Sequence, residues 1–191
     1  KDTIKTILAP FSVIVKDASG ISVAGVPVNF AITLRPPGES GAAIGSSTAN
    51  TNGLGIASTI LRFGDKVGLY EVTATSTALP SIQRVFSAIA THGLASALGL
   101  FAGNNQSDTI FNALDTAFVV RITDAGANAV PNLAVQFAIA SFPTNATGQT
   151  LTVTSSTTDS SGQALTQLTL GSKVGPYQVT ATSGSLAGSP F

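Results

Sequence analysis

Cysteine, methionine and tryptophan are absent from the 191-residue chain, and histidine occurs once, at His92. Without cysteine there is no disulfide, no thiol nucleophile and no thiolate to hold zinc. A lone histidine has no second histidine or cysteine with which to ligate a metal, and it can serve at most one triad. Charge is scarce: Lys, Arg, Asp and Glu make up 9% of the residues, against roughly 25% in ordinary soluble domains. The nine basic and nine acidic residues cancel, and no basic cluster exists to attract nucleic acid or an anionic membrane surface. No run of about 18 apolar residues is present to cross a membrane as a helix. The chain opens at Lys1 without methionine and shows no signal peptide, so it reads as a mature segment or an excised piece.

The patterns of common enzyme sites are also missing. No Gly-x-Ser-x-Gly elbow and no phosphate-cradling glycine loop followed by Lys-Ser/Thr occurs. The carboxylates are spread too widely to suggest a glycosidase pair. The expectation is therefore a chain that is not an enzyme, with no catalytic residue, no cofactor site and no metal site.

Hydrophobic residues make up 43% of the chain, enough for a real core. With so little charge, the polar surface must come from Ser, Thr, Asn and Gln. Exposed helix formers such as Glu and Lys are few, whereas Thr, Val, Ile and Phe favour strands.

The strongest signal is internal repetition. Phe11-Ser12-Val13-Ile14-Val15 matches Phe118-Val119-Val120-Arg121-Ile122, and Asp17-Ala18 matches Asp124-Ala125. Val28-Asn29-Phe30-Ala31-Ile32 matches Val135-Gln136-Phe137-Ala138-Ile139. The run from Lys66 through Tyr70 to Thr75 matches the run from Lys173 through Tyr177 to Thr182. All these pairs share an offset of 107 residues, whereas pairing Gly53 with Gly162 gives 109 and implies a two-residue insertion in one loop. A period of that length is a whole domain rather than a solenoid repeat.

Within each copy the apolar residues alternate. Phe11, Val13 and Val15 form one inward row; Val26, Val28, Phe30 and Ile32 a second; Ala57, Thr59 and Leu61 a third; Tyr70, Val72 and Ala74 a fourth; Phe86, Ala88 and Ala90 a last. The second copy repeats this with Phe118, Val120 and Ile122, then Leu133, Val135, Phe137 and Ile139, then Thr166, Leu168 and Leu170, then Tyr177, Val179 and Ala181. Pro27 cannot donate to a ladder and is expected at a strand start or edge. Asn52-Gly53 reads as a hairpin turn. Short strands with turn clusters between them and no helical period imply an all-β fold of two tandem immunoglobulin-like β-sandwiches, residues 1–91 and 92–191. Residues 91–94 form a short connection that should restrict interdomain motion and favour a rod. Tyr70 stands two residues before Val72, the arrangement of a tyrosine corner whose hydroxyl bonds back to the backbone, and Tyr177 precedes Val179 likewise.

These residues carry a family likeness. Val15-Lys16-Asp17, Val23-Ala24-Gly25-Val26-Pro27-Val28-Asn29-Phe30, Gly53-Leu54-Gly55 and the run from Gly68 to Ala74 resemble the bacterial Ig-like domain of the invasin and intimin adhesins, which occurs in tandem. So do the run from Thr158 to Ala164 and the run from Gly175 to Ala181, and the stretch from Gly103 to Ser107 looks like the passage between the first two strands of such repeats. Asn132 stands where the pattern has glycine, and Gly55 where it has alanine. The resemblance covers nearly the whole chain. It implies a bacterial, extracellular, cell-surface setting and leaves several roles open.

Residues 94–107 have no counterpart before Lys1, and residues 85–90 of the first copy have none before Phe191. The expectation is a first sandwich lacking its first strand and a second lacking its last. Either the chain is a piece of a longer tandem array, or neighbours supply the missing strands by strand addition.

Other residues are weighed as sites. Asp17, Asp124 and Asp159, with Asp108 or Asp115, could bind calcium near turns, against the simpler role of capping those turns. Asn105 and Asn145 begin N-glycosylation patterns, and residues 150–161 are rich in Ser and Thr. Phe63, Phe101, Phe111 and Phe142 are either core residues or, if exposed, contacts for carbohydrate or a neighbouring subunit. The role implied is a structural spacer or filament subunit of a bacterial surface or extracellular fibre, packed end to end against copies of itself or adjacent Ig-like repeats. The alternative is an adhesin segment that binds a host receptor or polysaccharide through loops such as 35–41 or 141–148. A third role is an accessory domain of a larger secreted enzyme.

The tyrosine corner gives the first prediction. Tyr70→Phe should keep the fold and lower stability by about 1 kcal/mol through the lost hydrogen bond, seen as a lower denaturation midpoint than that of the parent chain.

Overall fold

The computed structural model describes residues 2–186 and Gly188, and none of these is helical. The chain divides into two compact units, Lys1–His92 and Gly93–Phe191.

In the first unit the strands are β1 (Asp2–Thr3), β2 (Phe11–Ile14), β3 (Pro27–Leu34), β4 (Ala43–Ile44), β5 (Thr48–Asn50), β6 (Ile56–Thr59), β7 (Leu61–Arg62), β8 (Gly68–Thr75) and β9 (Gln83–Thr91). One sheet has the order β1-β9-β8-β3-β5; the pairs β2-β6 and β4-β7 make smaller sheets. Pro27 opens β3, where its missing N–H costs nothing. The alternating rows meet in one core: Val28, Phe30, Leu61, Phe63, Tyr70 and Val72 are all buried. Phe63 therefore belongs to the core, its ring 4.9 Å from that of Tyr70.

The second unit holds β10 (Ala95–Ala102), β11 (Phe118–Asp124), β12 (Ala134–Ser141), β13 (Thr150–Leu151), β14 (Ser155–Thr157), β15 (Gln163–Thr166), β16 (Leu168–Thr169) and β17 (Gln178–Thr182). Its sheets run β10-β11-β15, β14-β12-β17 and β13-β16. Leu98, Val120, Ile122, Val135 and Phe137 form its core. The architecture is all-β, with a sandwich in each unit.

Both corner tyrosines bond as expected: the Tyr70 hydroxyl donates to the Lys66 carbonyl at 2.9 Å and that of Tyr177 to the Lys173 carbonyl at 2.8 Å. Buried hydroxyls form a second duplicated set. Thr51 Oγ1 donates to Val23 O and accepts from Val26 N, and Thr158 does the same with Val130 O and Leu133 N. Ser76 and Ser183 donate to Pro27 O and Ala134 O. Each satisfies backbone groups at a strand end that would otherwise be buried without a partner.

The structure corrects the repeat alignment. Gly55, at φ 73°, and Gly162, at φ 72°, occupy the same place. A Cβ on either would lie within 3.0 Å of a carbonyl oxygen, Val15 O or Ile122 O. Gly53 has no such neighbour. Gly55 is thus the partner of Gly162, at the common offset of 107, and the two-residue insertion disappears. Gly55-Ile56-Ala57 then supplies the Gly-x-Ala pattern, so Gly55 is no departure. Nor is Asn52-Gly53 a hairpin: β5 pairs with β3 and β6 with β2, so this turn carries the chain from one sheet to another. Asn132 replaces Gly25 because both backbones are left-handed, at φ 63° and 76°, and Asn tolerates that region better than most residues.

Ala127, at φ 60°, stands where the first unit has Gly20 at φ 83°. An alanine there carries a left-handed penalty of about 1–2 kcal/mol, larger than the entropic cost of glycine, about 0.5–1 kcal/mol. Ala127→Gly should therefore raise the urea midpoint, by a stability gain of about 0.5 kcal/mol.

Candidate functional site

A strand in a sheet satisfies its backbone N–H and C=O groups on both sides only when it has two neighbours. In the first unit β8 has both, β3 and β9. Its counterpart β17 pairs with β12 alone among the described residues. The reverse holds on the other sheet. There β11 lies between β10 and β15, whereas among the described residues β2 pairs only with β6. Among the described residues, the strand each unit carries is the one its sister does not show.

Burial follows pairing. Tyr70 and Val72 are 0% exposed beneath β9, while Tyr177 and Val179 are half-buried. Phe86 of β9 stacks flat on Phe11, with ring centroids 5.0 Å apart and 1° between planes. In the second unit Phe118 matches Phe11, and its ring lines a cavity of about 310 Å³ with Leu100, Val120, Phe137 and Val179. A second cavity, about 710 Å³, shares Phe118 and Tyr177 and continues past Leu168 and Leu170 to Ile110. In the first unit β9 pairs with β1 at Asp2 and Thr3, which correspond to Thr109 and Ile110. The two cavities together trace the path that β9 takes in the first unit. At the other open edge, Val13, Val15, Val28, Ala74 and Leu79 line about 180 Å³ beside β2. In the second unit the matching space is held by β10, whose Leu98 is 3% exposed and packs with Leu186.

The sequence-predicted site residues fall as follows. Asp17 and Asp159 cap turns: the Oδ1 of each accepts from the amides two and four residues on, Ser19 and Ile21 or Ser161 and Gln163. Asp124 does so with Gly126 and Asn128, and its Oδ2 accepts from the Gly93 amide at 2.8 Å. Asp108 is exposed and accepts from Thr109 N and Asn112 Nδ2. Among the described residues no three His or carboxylate side chains gather to hold a metal. His92 follows β9 and is half-buried; Asp115, Asn105 and Asn145 are exposed. Residues 150–161 contain β13 and β14, so the Ser/Thr-rich run is partly an outward strand face. Phe101, Phe111 and Phe142 are exposed, at 53%, 60% and 47%. The 35–41 loop is tied down by the Arg35–Glu39 ion pair at 3.5 Å and by Asp65, which accepts from Ser40 N at 2.8 Å. The 141–148 loop carries Phe142 on its surface.

A known structure shares the fold. The FdeC adhesin of Escherichia coli matches 98% of the chain at 22% identity and a TM-score of 0.53, and the chain spans 58% of that structure. Both units have the fold of the bacterial Ig-like adhesin domains. The D0-D1 domain of intimin matches 97% of the chain at 24% identity and a TM-score of 0.41, with 88% of that structure covered. A C-terminal intimin fragment, solved in complex with the intimin-binding domain of the translocated intimin receptor, matches 97% at 17% identity and a TM-score of 0.36, with 57% covered. These neighbours are adhesin domains rather than enzymes. No protein-family model matches the chain, and no curated protein matches it.

Sequence reasoning placed the inward rows but missed the buried threonine and serine set. Thr51 and Thr158, at the same offset, were the available signal. It also missed that Asp124, unlike the exposed Asp17, lies buried. Burial pushes the Asp124 carboxyl up, but the Gly93 and Asn128 amides, the Asn128 side chain and the Gly126 amide outweigh it and hold the pKa below the ordinary carboxylate value. A depressed folded-state pKa adds stability that is present above the unfolded value, about 3.9, and is lost as pH falls through the folded one. The second unit should lose stability below about pH 4. In Asp124→Asn that acid-dependent loss should shrink, as read from urea midpoints at pH 7 and pH 3.

Proposed function

We propose that the chain is a structural spacer or filament subunit of a bacterial cell-surface or extracellular fibre, its open sheet edges completed by strands from neighbouring copies or adjacent repeats. The observation that supports this reading is the complementary pairing: β9 covers the first unit and β10 the second, and among the described residues β2 and β17 each pair on one side. An open edge flanked by an apolar groove favours addition of a strand over solvation. The work of such a protein is mechanical. Serial sandwiches set reach, and paired strands resist extension. Weak surface charge removes the repulsion that would hold copies apart.

A second reading, a segment that binds a host receptor or polysaccharide, draws on one observation. Phe142 is exposed on the 141–148 loop, and Phe111 lies near Gly148 of the same loop. The tied-down 35–41 loop offers no comparable aromatic.

Electron microscopy and light scattering of the purified chain test the first reading. Linear oligomers that lengthen with protein concentration are expected. A monomer at every concentration, with no fibres, would refute it, and binding to host cells lost in Phe142→Ser would favour the second.

A further inference from the structure

We propose that Asn52 is a self-modification site, at which the first unit converts its own turn, without an enzyme, to the aspartate turn that the second unit already has. This goes beyond the fibre reading and does not rest on it. Asn52-Gly53 is the one Asn-Gly pair in the chain. It lies in the exposed turn that carries the chain from β5 to β6. The Asn52 Oδ1 accepts from Leu54 N at 2.9 Å and from Ile56 N at 3.0 Å. Both donors lie further along the chain, so the side chain is folded forward over Gly53. Among the described residues the Gly53 N–H and the Asn52 Nδ2 have no hydrogen-bond partner. A Cβ on Gly53 would meet nothing within 4 Å, so the approach to the Gly53 nitrogen is open.

These groups are placed to react. The Gly53 nitrogen adds to Asn52 Cγ, and negative charge builds on Oδ1, where two backbone N–H groups already point. The Cγ–Nδ2 bond then breaks, and Nδ2 leaves as ammonia with the proton given up by the Gly53 nitrogen. The product is a cyclic imide, which water opens. Breaking its bond from Cγ to nitrogen gives aspartate at position 52. Breaking its bond from the backbone carbonyl carbon to nitrogen gives isoaspartate, with one more methylene in the backbone. A side chain on the attacking residue would crowd this ring, and every other asparagine precedes a residue that has one. The second unit shows that aspartate fits. Asp159, at the offset of 107, accepts from Ser161 N at 2.8 Å and Gln163 N at 3.0 Å. The backbone bonds match as well: Asn52 N donates to Ile56 O and Gly55 N to Asn52 O, as Asp159 N does to Gln163 O and Gly162 N to Asp159 O. Aspartate therefore leaves the turn intact and adds one negative charge to a chain whose charges balance. Isoaspartate lengthens the backbone between β5 and β6, which belong to different sheets.

The test incubates the full chain at mildly alkaline pH and follows every asparagine by peptide mapping and mass spectrometry, with enzymatic methylation to count isoaspartate. Conversion is expected first at Asn52, about tenfold or more ahead of any other asparagine. It should run at least as fast in the folded chain as in the chain unfolded in urea, because the folded turn holds the two donors on Oδ1. Gly53→Ser, which copies Ser160 of the second unit, should slow it about tenfold; Gly53→Ala serves if the serine variant does not fold. Asn52→Asp should unfold at the urea midpoint of the parent chain. Slower conversion in the folded chain than in urea, an unchanged rate in the Gly53 variant, or a lowered midpoint in Asn52→Asp would overturn the proposal.

Discussion

The need of each strand for a neighbour on both sides is the constraint on which the rest of this structure depends. Every strand offers backbone donors and acceptors on two sides, and a groove of buried apolar side chains cannot hydrate them well. The first unit meets the demand on β8 with β9, and the second meets it on β11 with β10. The same side chains respond to the difference: the tyrosine and valine of the fourth row are sealed in one unit and half-open in the other. Since their chemistry is identical, coverage by a neighbouring strand accounts for the contrast.

The rows of inward residues were legible because a strand imposes a period of two and the duplication repeats it. Phe30 and Phe137 or Val72 and Val179 could be placed from the sequence alone, and the corner tyrosines followed. The turns were less legible. By sequence Gly53 pairs with Gly162, whereas in the structure Gly55 does. The deciding fact was a carbonyl oxygen 2.7 Å from where a Cβ on Gly55 would stand, a tertiary contact no local pattern reveals. The candidate groove was half legible. Comparing the two copies pointed to a strand that one shows and the other does not. The stacking of Phe86 on Phe11, and so the identity of the pocket at Phe118, needed coordinates.

Scarce charge has a structural counterpart. With few ionic groups, the chain uses hydroxyls and turn-capping carboxylates to hold its strand ends, at Thr51 and Thr158, Ser76 and Ser183, Asp17 and Asp124. Such bonds are short-ranged and little affected by salt. A protein held together this way keeps its geometry across changes in ionic strength that would weaken a surface of ion pairs.

The parallel pairing of β1 with β9 has its own consequence. Asp2 lies beside Ala90 and Thr3 beside Thr91, with Ile4 N donating to Thr91 O at 2.9 Å. The two strands point the same way, so a pull toward the start of β1 and the end of β9 slides one along the other. Their bonds are loaded together in shear instead of being unzipped singly. A force applied between those two points would load this short ladder directly.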